Sequence, residues 1–309
     1  MEIPAHDPKH DHAQISDDEV HFLDPGFLNP AENMALDALL LDLPGWWFRL
    51  TRWSTPCVTL GRFQTFPDGS IPPPSTRQPI QRETHGEIPQ IYPFQISPQD
   101  TLSDPSTVLP AVRRITGGGS ILHGEDLTIA ISGPCPSAVF PRRKPAEVAA
   151  YISQKISAVL GDHIQTRGGH DEENSMQNIV DCFDRRSPSD LVFDPGSGPV
   201  QAGGLALAFR PGRVLLEGSL KREHLGFDRP HDQTCDQTCD QTCDQTYDRQ
   251  WLSRVAQQLL SLPPHSSLED GSHRWHEDLS DIPWQESHLG ECVRQKVDSQ
   301  FGQEKWNRR

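Results

Sequence analysis

The densest chemistry in the chain lies in Arg113-Arg114-Ile115-Thr116-Gly117-Gly118-Gly119-Ser120-Ile121-Leu122-His123. Three adjacent glycines after an apolar run let the backbone approach a ligand closely, because glycine alone tolerates the unusual φ/ψ values involved. N–H groups there can cradle a phosphate or carboxylate, and the two arginines offer bidentate anion contacts. The pattern is neither the dinucleotide fingerprint nor the P-loop. On composition alone, a glycine-rich hairpin with two surface arginines explains it equally well. Cysteine is the second reactive type. Cys235, Cys239 and Cys243 recur every four residues in the repeat at 232–246. On a helix they would share a face and could hold a soft metal, but Thr and Asp are weak helix formers. A low-complexity repeat in a loop is the preferred reading. His6, His10 and His12 lie in a polar stretch, residues 1–20, that reads as a disordered, solvated tail rather than a metal site.

The elements that must hold these residues begin near Phe22. Residues 29–43 read as a helix with Asn29 as N-cap and Pro30 as first helical residue; Met34, Leu36, Ala38, Leu39, Leu40 and Leu43 supply its apolar face. Two short strands follow, WWFRLTRW and CVTLGRF, with Ser54-Thr55-Pro56 as the turn. Prolines crowd residues 66–110, which excludes helix and central strand there; this is an insertion or loop. Residues 111–123 read as a strand, a glycine turn and a second, adjacent strand. DLTIAIS alternates like a strand, and PAEVAAYISQKISAVLGD is a helix with Val148, Ile152, Ile156 and Val159 on one face. DLVF is a strand, and AGGLALAF with GRVLLEGSL forms a hairpin around Arg210-Pro211-Gly212. WLSRVAQQLLSL is a helix, and a last helix runs through ECVRQKVDSQF. Strands mixed with a few long helices, without strict βαβ alternation, predict an α+β fold.

The chain has 309 residues, 34% apolar residues and 28 prolines, which predicts one good core plus poorly packed stretches. A net charge of −15 excludes a global field for nucleic acid. No apolar run is long enough for a membrane span, and no secretory leader is evident. Seven cysteines without a paired framework fit a reducing cytoplasm.

The order of motifs resembles the lipoate–protein ligase and octanoyltransferase family, relatives of biotin–protein ligase. Asn33-Met34-Ala35-Leu36-Asp37, Arg52-Trp53-Ser54-Thr55-Pro56 and Leu60-Gly61-Arg62-Phe63-Gln64 match that family's opening. RRITGGGSILHGEDLT matches its central motif. Cys182-Phe183, Ser187-Pro188, Asp190-Leu191, Ala202-Gly203-Gly204 and Gly218-Ser219-Leu220 follow in the family's order. The resemblance covers residues 22–222 and implies a catalytic domain over 21–230, interrupted by the proline-rich insertion. A repeat at 231–249 and a helical segment at 250–309 lie beyond it. It further implies a mixed sheet with flanking helices forming an acyl-binding cleft. Members transfer octanoyl or lipoyl groups to a lysine of lipoyl carrier domains, in 2-oxoacid dehydrogenases or the glycine cleavage H protein. Ligases use ATP and magnesium; transferases take the acyl group from acyl carrier protein or another carrier domain, some through a cysteine thioester. Mapped onto this chain, Arg62, Arg113, Arg114, Gly117, Gly118, Gly119 and His123 line the donor pocket, with Asp190 beside the head group. Asp126 and Thr128 hold the hairpin, and Arg142, Arg143 and Lys144 form a basic rim for an acidic carrier domain. Cys182 matches the cysteine that some transferases acylate and is the candidate nucleophile, its thiolate favoured by Arg185, Arg186 or His123; a buried structural thiol is the alternative. No tightly bound cofactor and no metal site is expected.

The sequence departs from this family at its lysine, and the polar and basic run that usually follows the small-residue segment is replaced by LALAF. The family's lysine, which faces the reacting carbonyl, falls at Val200, beside Gln201, and no lysine occurs from Ile156 to Leu220. Three readings follow: a cysteine-dependent acyltransferase with the lysine's role moved elsewhere, a non-catalytic relative that binds acyl groups or lipoyl domains, and an ATP-dependent ligase. The missing lysine weighs most against the third.

Overall fold

The structure is a computed structural model. It describes residues 19–64, 109–124, 126–168, 187–225, 240–261, 273–275 and 288–307. The tail to residue 18, residues 65–108 of the proline-rich stretch, and Cys182 with Arg185 and Arg186 lie outside the described residues.

In chain order the elements are β1 (Val20–Leu23), β2 (Phe27–Leu28), α1 (Pro30–Asp42), β3 (Trp46–Trp53), β4 (Cys57–Leu60), β5 (Ala111–Arg113), β6 (Ile121–His123) and β7 (Leu127–Pro134). Then come α2 (Pro145–Leu160), β8 (Ile164–Thr166), β9 (Leu191–Phe193), β10 (Val200–Arg210) and β11 (Arg213–Leu220). The described chain ends with α3 (Asp240–Leu260), β12 (His273–Trp275), α4 (His288–Lys296), a π-helical turn (Val297–Phe301) and α5 (Glu304–Asn307).

The main sheet has the order β12-β1-β3-β7-β11-β10-β9-β8, with β2 pairing off β3. β1 runs parallel to β3 and β12, and the remaining path is antiparallel. The sheet is therefore mixed, as expected. Alternation along β3 sends Trp46, Phe48 and Leu50 to one face and Trp47 and Trp53 to the other. The first face packs on α2 and α3 through Val148, Ile152, Ile156, Trp251, Leu252 and Val255. The second packs on α1, the turn at 297–301 and α5. A smaller sheet, β5-β4-β6, is built from the segments that flank the glycine triplet.

Local rules account for α1. Asn29 caps it, accepting from the Glu32 amide at 3.0 Å while Glu32 accepts from the Asn29 amide at 3.0 Å, and Pro30 opens the helix. Its burial does not follow the apolar stripe. Asn33 and Asp37 are as buried as Met34 and Leu36, because both faces of the helix are covered, one by the sheet and one by α4 and the turn after it.

Three expectations need correction. Val20 belongs to β1 and is buried, so order starts inside the stretch read as tail. α3 begins at Asp240, inside the repeat read as a loop. The helix is anchored farther along: Asp248 accepts from Arg222 at 2.7 Å and from Arg52 at 3.2 Å. Arg52 and Arg249 also reach Asp24, at 3.3 and 3.1 Å. An anchored helix extends over residues of weak propensity because each added residue needs no new nucleus. Finally, β5 and β6 are not adjacent, since β4 lies between them.

Candidate functional site

The loop Arg114–Ser120 crosses from β5 over the end of β4 to β6. Arg113 and Arg114 are both buried, not at a surface. Arg113 donates to the carbonyls of Gly61 at 2.8 Å and Gln64 at 2.6 Å through Nη1, and to that of Asn307 at 3.0 Å through Nη2. Arg114 donates to Thr59 Oγ1 at 2.8 Å, to the Gly117 carbonyl at 2.9 Å and to the Gly119 carbonyl at 2.6 Å, with Glu217 at 3.7 Å. The glycine loop thus folds its carbonyls around an internal guanidinium. The Gly117 amide donates to the Leu207 carbonyl on β10.

Glycine is required here by close approach. A Cβ on Gly61 would stand 2.0 Å from the Gly118 carbonyl oxygen, and Gly118 has φ +88°, a region that glycine enters without strain.

His123 is buried and stacks on Trp53 at 4.2 Å between centroids. Its Nε2 meets Thr59 Oγ1 at 2.8 Å and its Nδ1 meets Asp126 Oδ2 at 2.8 Å. Thr128 and Ser219 also donate to Asp126 Oδ2, at 2.8 and 2.6 Å. Burial works against the Asp126 anion, but His123 and these hydroxyl donors outweigh it and hold the carboxyl at about 2. Asp126 and Thr128 therefore tie β6 and the start of β7 to β11.

Beneath the loop lies a charged cluster. Arg49 on β3 is bonded to Asp37 and Asn33 of α1, and Thr116 donates to Glu217 on β11. Burial and the nearby Asp37 carboxylate push Glu217 up to about 7, against the pull of Arg114, Thr116 and Arg49. Glu217 Oε1 and Asp37 Oδ2 make no hydrogen bond.

Of the arginines nominated for the donor pocket, Arg62 alone is exposed. Its amide donates to the Thr116 carbonyl at 2.8 Å, and its guanidinium sits 5.6 Å from the Phe63 ring centroid. It lines a cavity of about 430 Å³ together with Leu41, Ile115, Ala208, Arg210, Gln300 and Trp306. A second cavity of about 360 Å³ is lined by Arg62, Phe63, Arg113 and Trp306. The first combines apolar side chains, Phe209 among them, with polar ones and two arginines, of which Arg210 lies 3.5 Å from Asp42. Gly117, Gly118, Gly119 and His123 do not line it.

The other nominated residues lie apart. Asp190 accepts from the Ser187 amide at 2.7 Å and lies 3.7 Å from Arg167. It precedes Leu191, which pairs with Gly203, whereas Val200 pairs with Phe193; Asp190 is thus not the neighbour of Val200. Val200 is 39% exposed at the start of β10. Gln201 is buried, and its Oε1 makes no hydrogen bond. Arg142, Arg143 and Lys144 are exposed; Lys144 pairs with Glu147, and Arg143 donates to the Arg210 carbonyl at the β10–β11 turn. Sequence reasoning missed Glu217, Trp306, Asn307 and Arg210. A charged residue at an inward position of the β11 alternation could have signalled Glu217; nothing local signals Trp306 or Asn307.

No family model matches the chain. The octanoyltransferase LipM of Halalkalibacterium halodurans is 26% identical over 214 residues, 64% of this chain and 64% of that protein, so the chain spans slightly under two thirds of that relative's length. A crystal structure of lipoate-protein ligase A bound with ATP superimposes with a TM-score of 0.53 at 14% identity, covering 94% of this chain and 98% of that one. The T. acidophilum protein Ta0514, solved with bound lipoic acid, gives a TM-score of 0.51 at 15% identity, with the same coverage. The fold is the α+β fold of the lipoate-protein ligases. No helix among the described residues is long and apolar enough to cross a membrane.

Proposed function

From the resemblance of this chain to the lipoate–protein ligase and octanoyltransferase family, we propose that it transfers an octanoyl or lipoyl group to a lysine of a lipoyl carrier domain, through a thioester on Cys182. The supporting observation is the cavity in which Leu41, Ile115, Ala208, Phe209 and Trp306 stand together with Arg62 and Arg210. An eight-carbon chain gains roughly 0.8 kcal/mol per CH₂ buried against such apolar side chains. Arg62 is the cation proposed for an activated head group, since Arg210 already meets Asp42. The Arg114-centred loop keeps this region in one shape before any ligand arrives, so little reorganisation is left for the reaction. In the transfer step the Cys182 thiolate attacks the donor's acyl carbon and expels the donor's carrier thiol. The acceptor amine then displaces Cys182 and loses its proton. The basic residues Arg142, Arg143 and Lys144 suit an acidic carrier domain, in the cytoplasm. ATP and magnesium enter only if the acyl group is first activated as an adenylate.

Intact-mass measurement tests this. Incubation with octanoyl carrier protein should add one octanoyl mass, labile to hydroxylamine and absent in Cys182→Ser, and an apo lipoyl domain should then acquire that mass. Labelling at another cysteine would refute the assignment of Cys182.

The exposed Val200, with no cation in the lysine's place, favours a second reading, a relative that binds without turnover. Val200→Lys separates the two. If the site is otherwise intact, transfer should rise about tenfold or more, because a charge-assisted contact contributes roughly 1.5–3 kcal/mol. An unchanged rate in a folded, octanoate-binding variant supports the binding relative.

A further inference from the structure

We infer that Trp306 and Asn307 are positioning residues for the Arg113–Gly119 loop, standing where a further strand would pair with β5. Among the described strands β5 is an edge of the small sheet. Its inner side is occupied: the Val58 amide donates to the Pro110 carbonyl at 2.9 Å and the Arg114 amide to the Leu60 carbonyl at 3.0 Å. Alternation leaves the Arg113 amide and carbonyl facing outward. Both are met by side chains nearly two hundred residues away. Asn307 Oδ1 accepts from the Arg113 amide at 2.9 Å, and Trp306 Nε1 donates to the Arg113 carbonyl at 2.9 Å. The two side chains reproduce the donor and acceptor of a neighbouring strand.

The pair is itself fixed. Asn307 is fully buried and donates through Nδ2 to the Phe301 carbonyl at 2.8 Å, and Trp306 packs edge-on against Phe301 at 5.7 Å. From Arg113 the constraint passes in two directions. Its guanidinium holds the carbonyls of Gly61 and Gln64, which bracket Arg62. Its backbone leads directly into Arg114 and the glycine loop. Trp306 also forms a wall of both cavities that contain Arg62. One short helix therefore sets the height of the loop and the shape of the cleft beside it.

The kinetic part of the test rests on the proposed acyl transfer; the exchange part does not. Amide hydrogen exchange is measured on the full chain and on Asn307→Ala, Asn307→Asp and Trp306→Phe. Loss of one buried hydrogen bond corresponds to about tenfold faster exchange. That increase is expected over residues 111–119 in Asn307→Ala and Trp306→Phe, with β7 and α2 unchanged. Asn307→Asp keeps an acceptor for the Arg113 amide but no donor for the Phe301 carbonyl, so it should recover part of the protection lost in Asn307→Ala. In the same variants the KM for an octanoyl donor should rise severalfold at constant kcat. Unchanged exchange over 111–119, or an equal rise over the whole sheet, would overturn the positioning role. Local exchange changes in a protein that transfers no acyl group would sustain it and refute the transfer reading instead.

Discussion

Arg114→Met should lower the unfolding free energy at pH 8, where Glu217 is ionised, by about 3–5 kcal/mol, the usual cost of removing one partner from a buried ion pair, and should abolish acyl transfer. Methionine has similar reach but donates nothing. The carbonyls of Gly117 and Gly119 and the Thr59 hydroxyl would each lose a buried donor, and Glu217 would lose its counter-charge. The loop then has no reason to curl inward, because its carbonyls gain more from water than from a thioether. Urea titration reads the stability and the intact-mass assay reads the transfer. Adding Glu217→Gln to Arg114→Met should recover part of the loss, since the orphaned carboxylate is then gone. A single variant as stable as the parent would mean that the loop holds itself without Arg114.

Glu217→Gln alone should change how stability depends on pH. The Glu217 carboxyl stands at about 7 in the fold against 4.5 for the free group, because burial and Asp37 disfavour its anion. The folded protein therefore binds more protons than the unfolded chain between these values, and stability falls as pH rises through that window. At about 1.4 kcal/mol per pH unit, the ceiling on this loss is about 3 kcal/mol. The contribution is fully present below 4.5 and gone above about 7. Glutamine cannot ionise, and its amide still accepts from Thr116, so the variant's stability should fall less than the parent's across that window. Asp126 acts in the opposite sense: held at about 2, it contributes above 3.8 and loses that contribution only in strong acid. Denaturant midpoints at pH 5 and pH 8 check the prediction; equal slopes in parent and variant would refute the proton on Glu217.

The elements that depend on neighbours in sequence were legible. Asn29 and Pro30 start α1, Gly161 ends α2, and Arg210-Pro211-Gly212 turns β10 into β11 because capping and turn geometry involve only a few consecutive residues. The motif order was also legible, and with it the family resemblance and the mixed sheet. β12, the start of α3 within the repeat and the burial on both sides of α1 were not. Each depends on a partner far along the chain, such as Asp248 on Arg52 or Val20 on His273.

For the site, the sequence by itself determined that two arginines, three glycines and a histidine fall within one short stretch, Arg113 to His123. Their roles were decided only by the tertiary structure. Two adjacent arginines after a strand look like anion ligands when only local chemistry is considered. Once β4 is placed between β5 and β6, and α5 against the β5 edge, the same guanidiniums face an interior lined with carbonyl oxygens. A buried cation takes the acceptors within reach, because leaving either unpaired costs more than any contact with an outside anion returns. Arg62, the residue after the close contact of Gly61 with Gly118, stays at the surface for the complementary reason: its backbone is held by Thr116, while among the described residues its side chain meets Phe63 and the open cavity.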